Sequence, residues 1–155
     1  MQGIHVLIVD GRPLLRQVLA RHLARTADHC VVNAEGDRIG AERVLLRLHV
    51  DVVVLAIDRP EPPRLGVIRA LKRMQPLTKV LVLAERADLS FVAHALGAGA
   101  DGILTGDDDL GEMSRAIRHV ADGGRYICPA IAHEFAMRGI RSNSGRLPPA
   151  EQYAH

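Results

Sequence analysis

The amino-acid sequence predicts one α/β domain in which five parallel strands form a sheet with helices on both faces. Short apolar runs rich in β-branched residues alternate with segments whose apolar residues recur at helical spacing. The most apolar run, Val50–Ile57, lacks polar alternation, as expected of a central parallel strand covered on both faces. A chain of 155 residues, 48% of them hydrophobic, is long enough for one such core.

The first two strand–helix units establish the alternation. His5–Asp10 is predicted to be a strand that closes at an Asp-Gly turn signal, and Pro13 suits the first turn of a helix that extends to about Thr26. Cys30–Ala34 is predicted to be a second short strand, and Ile39–Leu48 has the apolar spacing of a helix. Each strand is therefore followed by a helix that can cross back over the sheet.

The rest of the chain continues this pattern and ends in a tail. A loop with three prolines, Asp58–Pro63, follows the third strand. The remaining predicted elements are the helix Arg64–Met74, the strand Val80–Ala84, the helix Leu89–Leu96, the strand Gly102–Leu104, a helix that ends near Ala121 and the helix Pro129–Arg138. We assign residues 1–138 to the domain and residues 139–155, which are rich in Ser, Gly and Pro, to a linker or tail.

Composition narrows the function classes. The net charge is +2, and two Phe, two Tyr and no Trp argue against a stacking surface for single-stranded nucleic acid. No apolar run approaches ~20 residues and the N-terminus has no signal pattern, so we expect a cytoplasmic protein without a membrane partner. Neither the two cysteines nor the eight histidines show metal-binding spacing, and Asp107–Asp109 are interpreted as helix-capping carboxylates. We therefore expect no metal and no cofactor.

Open parallel sheets bind their ligands beyond the carboxyl ends of the strands. The residues that the sequence places at those ends are Asp10, Gly11, Ala56, Ala84, Thr105 and Gly106. A nucleophile, a base and an orienting group do not coincide among them. We therefore expect no catalytic residues and no enzymatic activity.

Five stretches carry a family resemblance: Ile4–Leu23 (IHVLIVDGRPLLRQVLARHL), Asp51–Pro60, Val67–Leu83 (VIRALKRMQPLTKVLVL), Ala95–Leu104 (ALGAGADGIL) and Ile117–Pro129 (IRHVADGGRYICP). They resemble the receiver domains of bacterial response regulators, particularly those of the NarL type, over roughly residues 3–138. The Gly-Ala-Asp-Gly motif with its flanks is fairly specific. The resemblance implies a flavodoxin-like, doubly wound five-stranded sheet with strand order 2-1-3-4-5.

Receivers of this family take a phosphoryl group onto an Asp at the end of the third strand. The reaction also uses an acidic pair that holds Mg²⁺, a Thr or Ser and a Lys. On the register fixed by Pro60, the acceptor position is Ala56, the acidic pair is Asp10 with Gly11, the hydroxyl position is Ala84, the Lys position is Gly106 and the switch aromatic is Ile103. Asp58 is displaced from the acceptor position by roughly 6–7 Å. Asp10 is instead expected to accept a hydrogen bond from a loop amide.

The resemblance therefore implies an atypical response regulator of a two-component system, a pseudo-receiver that regulates transcription without phosphorylation and acts through homodimerisation. DNA would be bound by a helix-turn-helix domain outside this chain. The segment Leu147–Glu151 weakly resembles the segment with which such a domain opens. A small-molecule sensor that uses the emptied crevice and a stand-alone signalling adaptor remain as alternatives. Arg115, Arg118 and His119 are candidates for an exposed partner surface, or they form an ordinary solvated helix face.

Overall fold

The computed structural model describes residues 3–26, 28–57, 62–106 and 108–139. Its strands form one parallel sheet of order β2-β1-β3-β4-β5-β6. The strands are β1 (Ile4–Val9), β2 (His29–Glu35), β3 (Val52–Ile57), β4 (Lys79–Ala84), β5 (Gly102–Thr105) and β6 (Tyr126–Ile127). The predicted doubly wound architecture and the order of its first five strands are confirmed.

The predicted number of strands was wrong, because the sheet formed by the described residues has six strands rather than five. The additional strand β6 pairs in parallel with β5, with Gly102 opposite Tyr126 and Ile103 opposite Ile127. A strand of two residues is too short to show a period-two pattern, which needs at least about four residues. Strand β6 can therefore be recognised only from the tertiary structure, in which the helix before it places these residues beside β5.

Within the described ranges, six helices connect or follow the strands. They are α1 (Pro13–Ala24), α2 (Arg38–Arg47), α3 (Pro62–Met74), α4 (Leu89–Ala98), α5 (Leu110–Ala121) and α6 (Pro129–Gly139). Aspartate side chains cap three of them, since Asp37, Asp88 and Asp109 each accept a hydrogen bond from the amide three residues on. The capping interpretation is thus confirmed for Asp109 and wrong for Asp108, whose carboxylate accepts instead from the amide and hydroxyl of Thr105 before the helix. Asp107 and most of the loop Asp58–Pro63 lie outside the described residues.

The core lies on both faces of the central strands. β1, β3 and β4 are buried along most of their length, and α5 contributes Met113, Ile117 and Val120 to the same cluster. Helix α1 packs against α5, while α3 packs against both α2 and α4, so the two sets cover opposite faces of the sheet. This arrangement explains the unbroken apolar sequence of β3. Among the described helices, none is long and apolar enough to cross a membrane.

Candidate functional site

The carboxyl ends of the four central strands bring the mapped positions to one edge of the sheet. Ala56 and Ile57 of β3 lie opposite Leu83 and Ala84 of β4, and Ala84 in turn lies opposite Thr105 of β5. Ala84 and Ile103 are buried, Ala56 is half-buried, and Gly11 and Gly106 are exposed. Of the six mapped positions, Asp10 alone has an ionisable side chain.

Asp10 is buried and paired with its neighbour Arg12. Its side chain is 1% exposed, and its Oδ1 accepts hydrogen bonds from the Arg12 amide at 2.9 Å and from Arg12 Nε at 3.0 Å. Oδ2 accepts a third from Arg12 Nη2 at 3.2 Å, while Arg16 Nη1 donates to the Asp10 carbonyl at 2.7 Å. The expectation that Asp10 accepts from a loop amide is confirmed. The guanidinium that also neutralises it was not foreseen.

Mg²⁺ does not fit this set of residues. The ion demands nearly octahedral oxygen ligands and is usually held by carboxylates together with retained water. The mapped positions supply one carboxylate, Asp10, and both of its oxygens already accept from the Arg12 guanidinium. A fixed positive charge therefore lies on the one carboxylate that these positions supply.

The two glycines at the edge differ in what a side chain would meet. A Cβ on Gly11 would approach the Gly36 carbonyl oxygen at 3.4 Å, which is an ordinary contact. A Cβ on Gly106 would lie 3.1 Å from the Glu85 carbonyl oxygen, and the Gly106 amide donates to that oxygen at 3.4 Å. Close backbone approach thus favours glycine at position 106, whereas position 11 has room for a larger residue.

A cleft of about 350 Å³ opens above Ala56. Its lining comes from the β1–α1 loop, the start of α2, the end of β3 and Val67 of α3. Arg12 in its wall is paired with Asp10, and Arg38 is paired with Glu42 at 2.8 Å, whereas the exposed Asp37 caps α2 by accepting from the Gly40 amide at 2.8 Å. The volume lies at the lower end of the 300–1,000 Å³ typical of small-molecule sites.

A second, more open cleft of about 620 Å³ lies between the ends of β4 and β5 and the start of α6. Acidic residues dominate its walls, and Asp108 Oδ2 accepts from the Thr105 amide at 2.8 Å and from Thr105 Oγ1 at 3.2 Å. Cys128 precedes α6 and is fully buried, and this burial raises the pKa of its thiol to about 11. The thiol is therefore protonated at neutral pH and is not a nucleophile.

The predicted partner surface on α5 is only partly exposed. Arg115 is exposed and forms an ion pair with Glu112 one helical turn earlier. Arg118 is 43% exposed and its Nη1 lies 3.4 Å from Asp28 Oδ2. His119 is half-buried, with its ring edge-on to Tyr126 at 6.0 Å. Arg115 is thus exposed as expected, whereas Arg118 and His119 are only partly exposed, because Asp28 and Tyr126 from outside α5 contact them and helical spacing does not reveal such contacts.

A second group of polar side chains meets at the amino-terminal edge of the sheet. His5 Nδ1 lies 3.2 Å from Asp51 Oδ2, and His49 Nε2 lies 2.8 Å from Asp51 Oδ1. Burial opposes ionisation of Asp51, but the His5 amide and the rings of His49 and His5 outweigh it and lower the pKa of this carboxyl. Sequence analysis missed this group because His5 is far from the other two residues in the chain. The signal available was a histidine at the start of one predicted strand and an aspartate at the start of its neighbour.

Comparison with known proteins gives consistent matches. A family model of the response regulator receiver domain matches residues 6–118. The transcriptional regulatory protein DegU of Brevibacillus brevis is 33% identical over 84% of this chain and 55% of its own length. The response regulator GacA of Pseudomonas aeruginosa is 34% identical over 94% of this chain and 68% of its own length. The chain thus spans between about half and two thirds of these relatives.

Solved structures agree with the sequence matches. A two-component response regulator of the LuxR family from Aurantimonas superposes with a TM-score of 0.82 at 26% identity, covering 90% of this chain and 99% of that one. The receiver domain of the response regulator NarL from Mycobacterium tuberculosis gives a TM-score of 0.71 at 27% identity, covering 79% and 99%. Both likenesses extend over nearly the whole of the compared domain.

Proposed function

The chain belongs to the response regulator receiver family, and from this premise we propose that it is a pseudo-receiver, which regulates transcription without accepting a phosphoryl group. In this reading it works as a binding scaffold rather than as an enzyme. The observation that supports the proposal most strongly is the Arg12 guanidinium on the buried Asp10 carboxylate. That contact supplies permanently the positive charge that a conventional receiver obtains from a metal ion.

The pairing of Asp10 gives a physical reason for phosphorylation independence. A buried carboxylate is strongly unfavourable unless it is paired and hydrogen-bonded. Arg12 satisfies Asp10 with two side-chain donors and one backbone donor, and Arg16 ties the same loop to α1 through the Asp10 carbonyl. The loop is therefore held in one arrangement without any ion.

The other positions remove the chemistry of phosphoryl transfer. The Ala56 methyl group is not a nucleophile, Ala84 has no hydroxyl, and Gly106 has no ammonium group to meet phosphoryl oxygens. The buried Ile103 stands where the switch aromatic is expected. Asp58, the alternative acceptor, lies outside the described residues and is addressed by the experiment below.

Mass spectrometry after incubation with acetyl phosphate and Mg²⁺ tests the proposal. We expect no adduct of about 80 Da on the chain, while a receiver with an intact acceptor Asp gains one. The double variant Gly11→Asp with Ala56→Asp is the matched control, since position 11 has room for a Cβ. A stoichiometric adduct on the unaltered chain would overturn the proposal, and peptide mapping would show whether Asp58 carries it.

We further propose that the native protein acts as a homodimer and reaches DNA through a C-terminal domain. Relatives named as transcriptional regulatory protein and response regulator, of which this chain spans 55% and 68%, support this reading. The exposed Arg115 and the half-exposed Arg118 of α5 are the candidate contacts. Light scattering of the chain with and without Arg115→Glu tests dimerisation. A monomer at all concentrations would contradict it.

The cleft above Ala56 favours a second candidate, a small-molecule sensor. Its volume of about 350 Å³ exceeds what a few water molecules fill, and Leu55–Ile57 with Val67 form an apolar floor beside the paired Arg12 and Arg38 and the exposed Asp37. A thermal-shift screen against small metabolites tests the candidate, with Ala56→Leu as the variant that fills the cleft. A ligand that stabilises both proteins equally would not bind there.

A further inference from the structure

Three potential metal ligands converge at the amino-terminal edge of the sheet, opposite the edge that holds Asp10 and Ala56. The ligand atoms of His5, His49 and Asp51 all lie within 4.8 Å of one another. The Asp51 carboxylate bridges the two rings, with one oxygen 3.2 Å from His5 Nδ1 and the other 2.8 Å from His49 Nε2. The group therefore offers two imidazole nitrogens and a carboxylate around one point.

Backbone contacts between neighbouring strands fix two of these residues. The Asp51 amide donates to the His5 carbonyl at 2.8 Å, and the His5 amide donates to Asp51 Oδ2 at 2.8 Å. The Lys79 amide on β4 donates to the Asp51 carbonyl at 2.9 Å. His5 and Asp51 are thereby held side by side without any help from an ion, which is the preorganisation that a binding site requires.

The third residue, His49, is exposed enough for its ring to move toward an ion. His49 lies on the connection between α2 and β3, and its side chain is 74% exposed, against 34% for His5 and 32% for Asp51. Its ring stands edge-on to His5, with the ring centroids 5.4 Å apart at an angle of 74°. The exposed side also leaves room for water as a further ligand.

The donor set selects the kind of ion. Two imidazole nitrogens with one carboxylate suit Zn²⁺, Cu²⁺ or Ni²⁺, whereas Mg²⁺ and Ca²⁺ prefer oxygen ligands alone. Zinc bonds of about 2.0–2.2 Å place tetrahedral ligand atoms about 3.3 Å apart. His5 Nδ1 already lies 3.2 Å from Asp51 Oδ2, whereas His49 Nε2, at 2.8 Å from the other oxygen, must move outward to admit an ion. An ion would take the place of the contacts that now join the two rings to the carboxylate.

We propose that His5, His49 and Asp51 form a site for a divalent transition-metal ion of the Zn²⁺ class, with water completing the coordination. The ion joins the start of β1 to the connection that enters β3. Because this edge is remote from Asp10 and Ala56, metal binding is independent of the proposed loss of phosphorylation. A bound ion would either regulate the domain or stabilise its fold at the edge of the sheet opposite Asp10 and Ala56.

Calorimetric titration of the full chain with ZnCl₂, free of any histidine tag, tests the site. We expect one ion per chain. His49→Ala should weaken Zn²⁺ binding by about 10–100-fold or more, because removing even a residue that only orients a metal ligand weakens metal affinity by about that much. The exposure of His49 makes this variant safe for folding. The matched control is His133→Ala, which removes another exposed histidine on α6 and should leave the affinity unchanged.

Two further measurements keep the proposal open to refutation. Asp51→Asn should also weaken Zn²⁺ binding, with far-ultraviolet circular dichroism to verify that the variant folds. X-ray absorption of the Zn²⁺ complex should show a nitrogen and oxygen shell without sulfur. Absence of binding to the unaltered chain, affinity that survives His49→Ala, or a sulfur ligand would each overturn the assignment.

Discussion

Replacing Arg12 by Met tests whether the guanidinium stabilises the buried Asp10 carboxylate. The variant keeps an apolar stem of similar length and the backbone amide that donates to Asp10, while it removes the two side-chain hydrogen bonds at 3.0 and 3.2 Å. What remains is a carboxyl group that is 1% exposed, keeps the Arg12 amide as a donor and has lost the Arg12 guanidinium. The domain must then tolerate that group or rearrange the loop.

The expected magnitude follows from burial on the two sides of the pair. Removing one partner of a buried ion pair costs roughly 3–5 kcal/mol. Because Arg12 is 35% exposed, water screens part of the interaction, and we expect about 2–3 kcal/mol. For a domain of this size that loss lowers Tm by about 4–12 °C.

Urea unfolding of Arg12→Met, Asp10→Asn and the double variant forms the cycle that isolates the pair. We expect the double variant to be more stable than the sum of the single losses predicts, with a coupling of about 1–2 kcal/mol, since neither charge is then left alone. A coupling below about 0.5 kcal/mol would refute the reasoning. The Asp10 loop would then owe its arrangement to Arg16 and the backbone rather than to the guanidinium.

Three further outcomes are expected. Mg²⁺ should leave Tm of the unaltered chain unchanged in a thermal melt, because Asp10 is already neutralised, and a large stabilisation would contradict this. Gly106→Ala should destabilise the domain by about 1 kcal/mol through contact with the Glu85 carbonyl, whereas Gly11→Ala should stay within about 0.5 kcal/mol; urea unfolding of the pair compares them directly. The Cys128 thiol should resist a thiol reagent in the folded state at pH 8. Folding raises the pKa of this thiol from 9.0 to about 11, so its contribution to stability should be fully present below pH 9 and lost as pH rises through about 11. Cys128→Ala should remove that part of the loss of stability at alkaline pH. An unchanged dependence of stability on pH would contradict this expectation.

Local sequence patterns were sufficient for most of the fold. The apolar run of β3 and the helical spacing of α1 and α5 predicted both the type and the approximate bounds of these elements. Each pattern reflects a face that the element must bury, so it is written within a single segment of ten or so residues. Strand β6 was not predicted because its two residues are too few to show such periodicity.

The proposed absence of phosphoryl-transfer groups was also predictable from the sequence, since it depends on which residue types end each strand. The absence of an acceptor at Ala56, of a hydroxyl at Ala84 and of an ammonium group at Gly106 needs no coordinates once the register is known. What a remaining charge does there is a different matter. The spacing of Asp10 and Arg12 permitted a contact, but the direction of the Arg12 side chain depends on how the loop turns at the end of β1.

By itself, then, the sequence determined the alternation of strands and helices, and with it the residue types that stand at the strand ends. Only the tertiary structure decided which charges meet. His5 and Asp51 are 46 residues apart in the chain and become neighbours because β1 and β3 pair in parallel. His119 lies edge-on to Tyr126 because β6 extends the sheet beyond β5. Such contacts follow from strand pairing and register across the sheet, and a pattern confined to one segment cannot encode them.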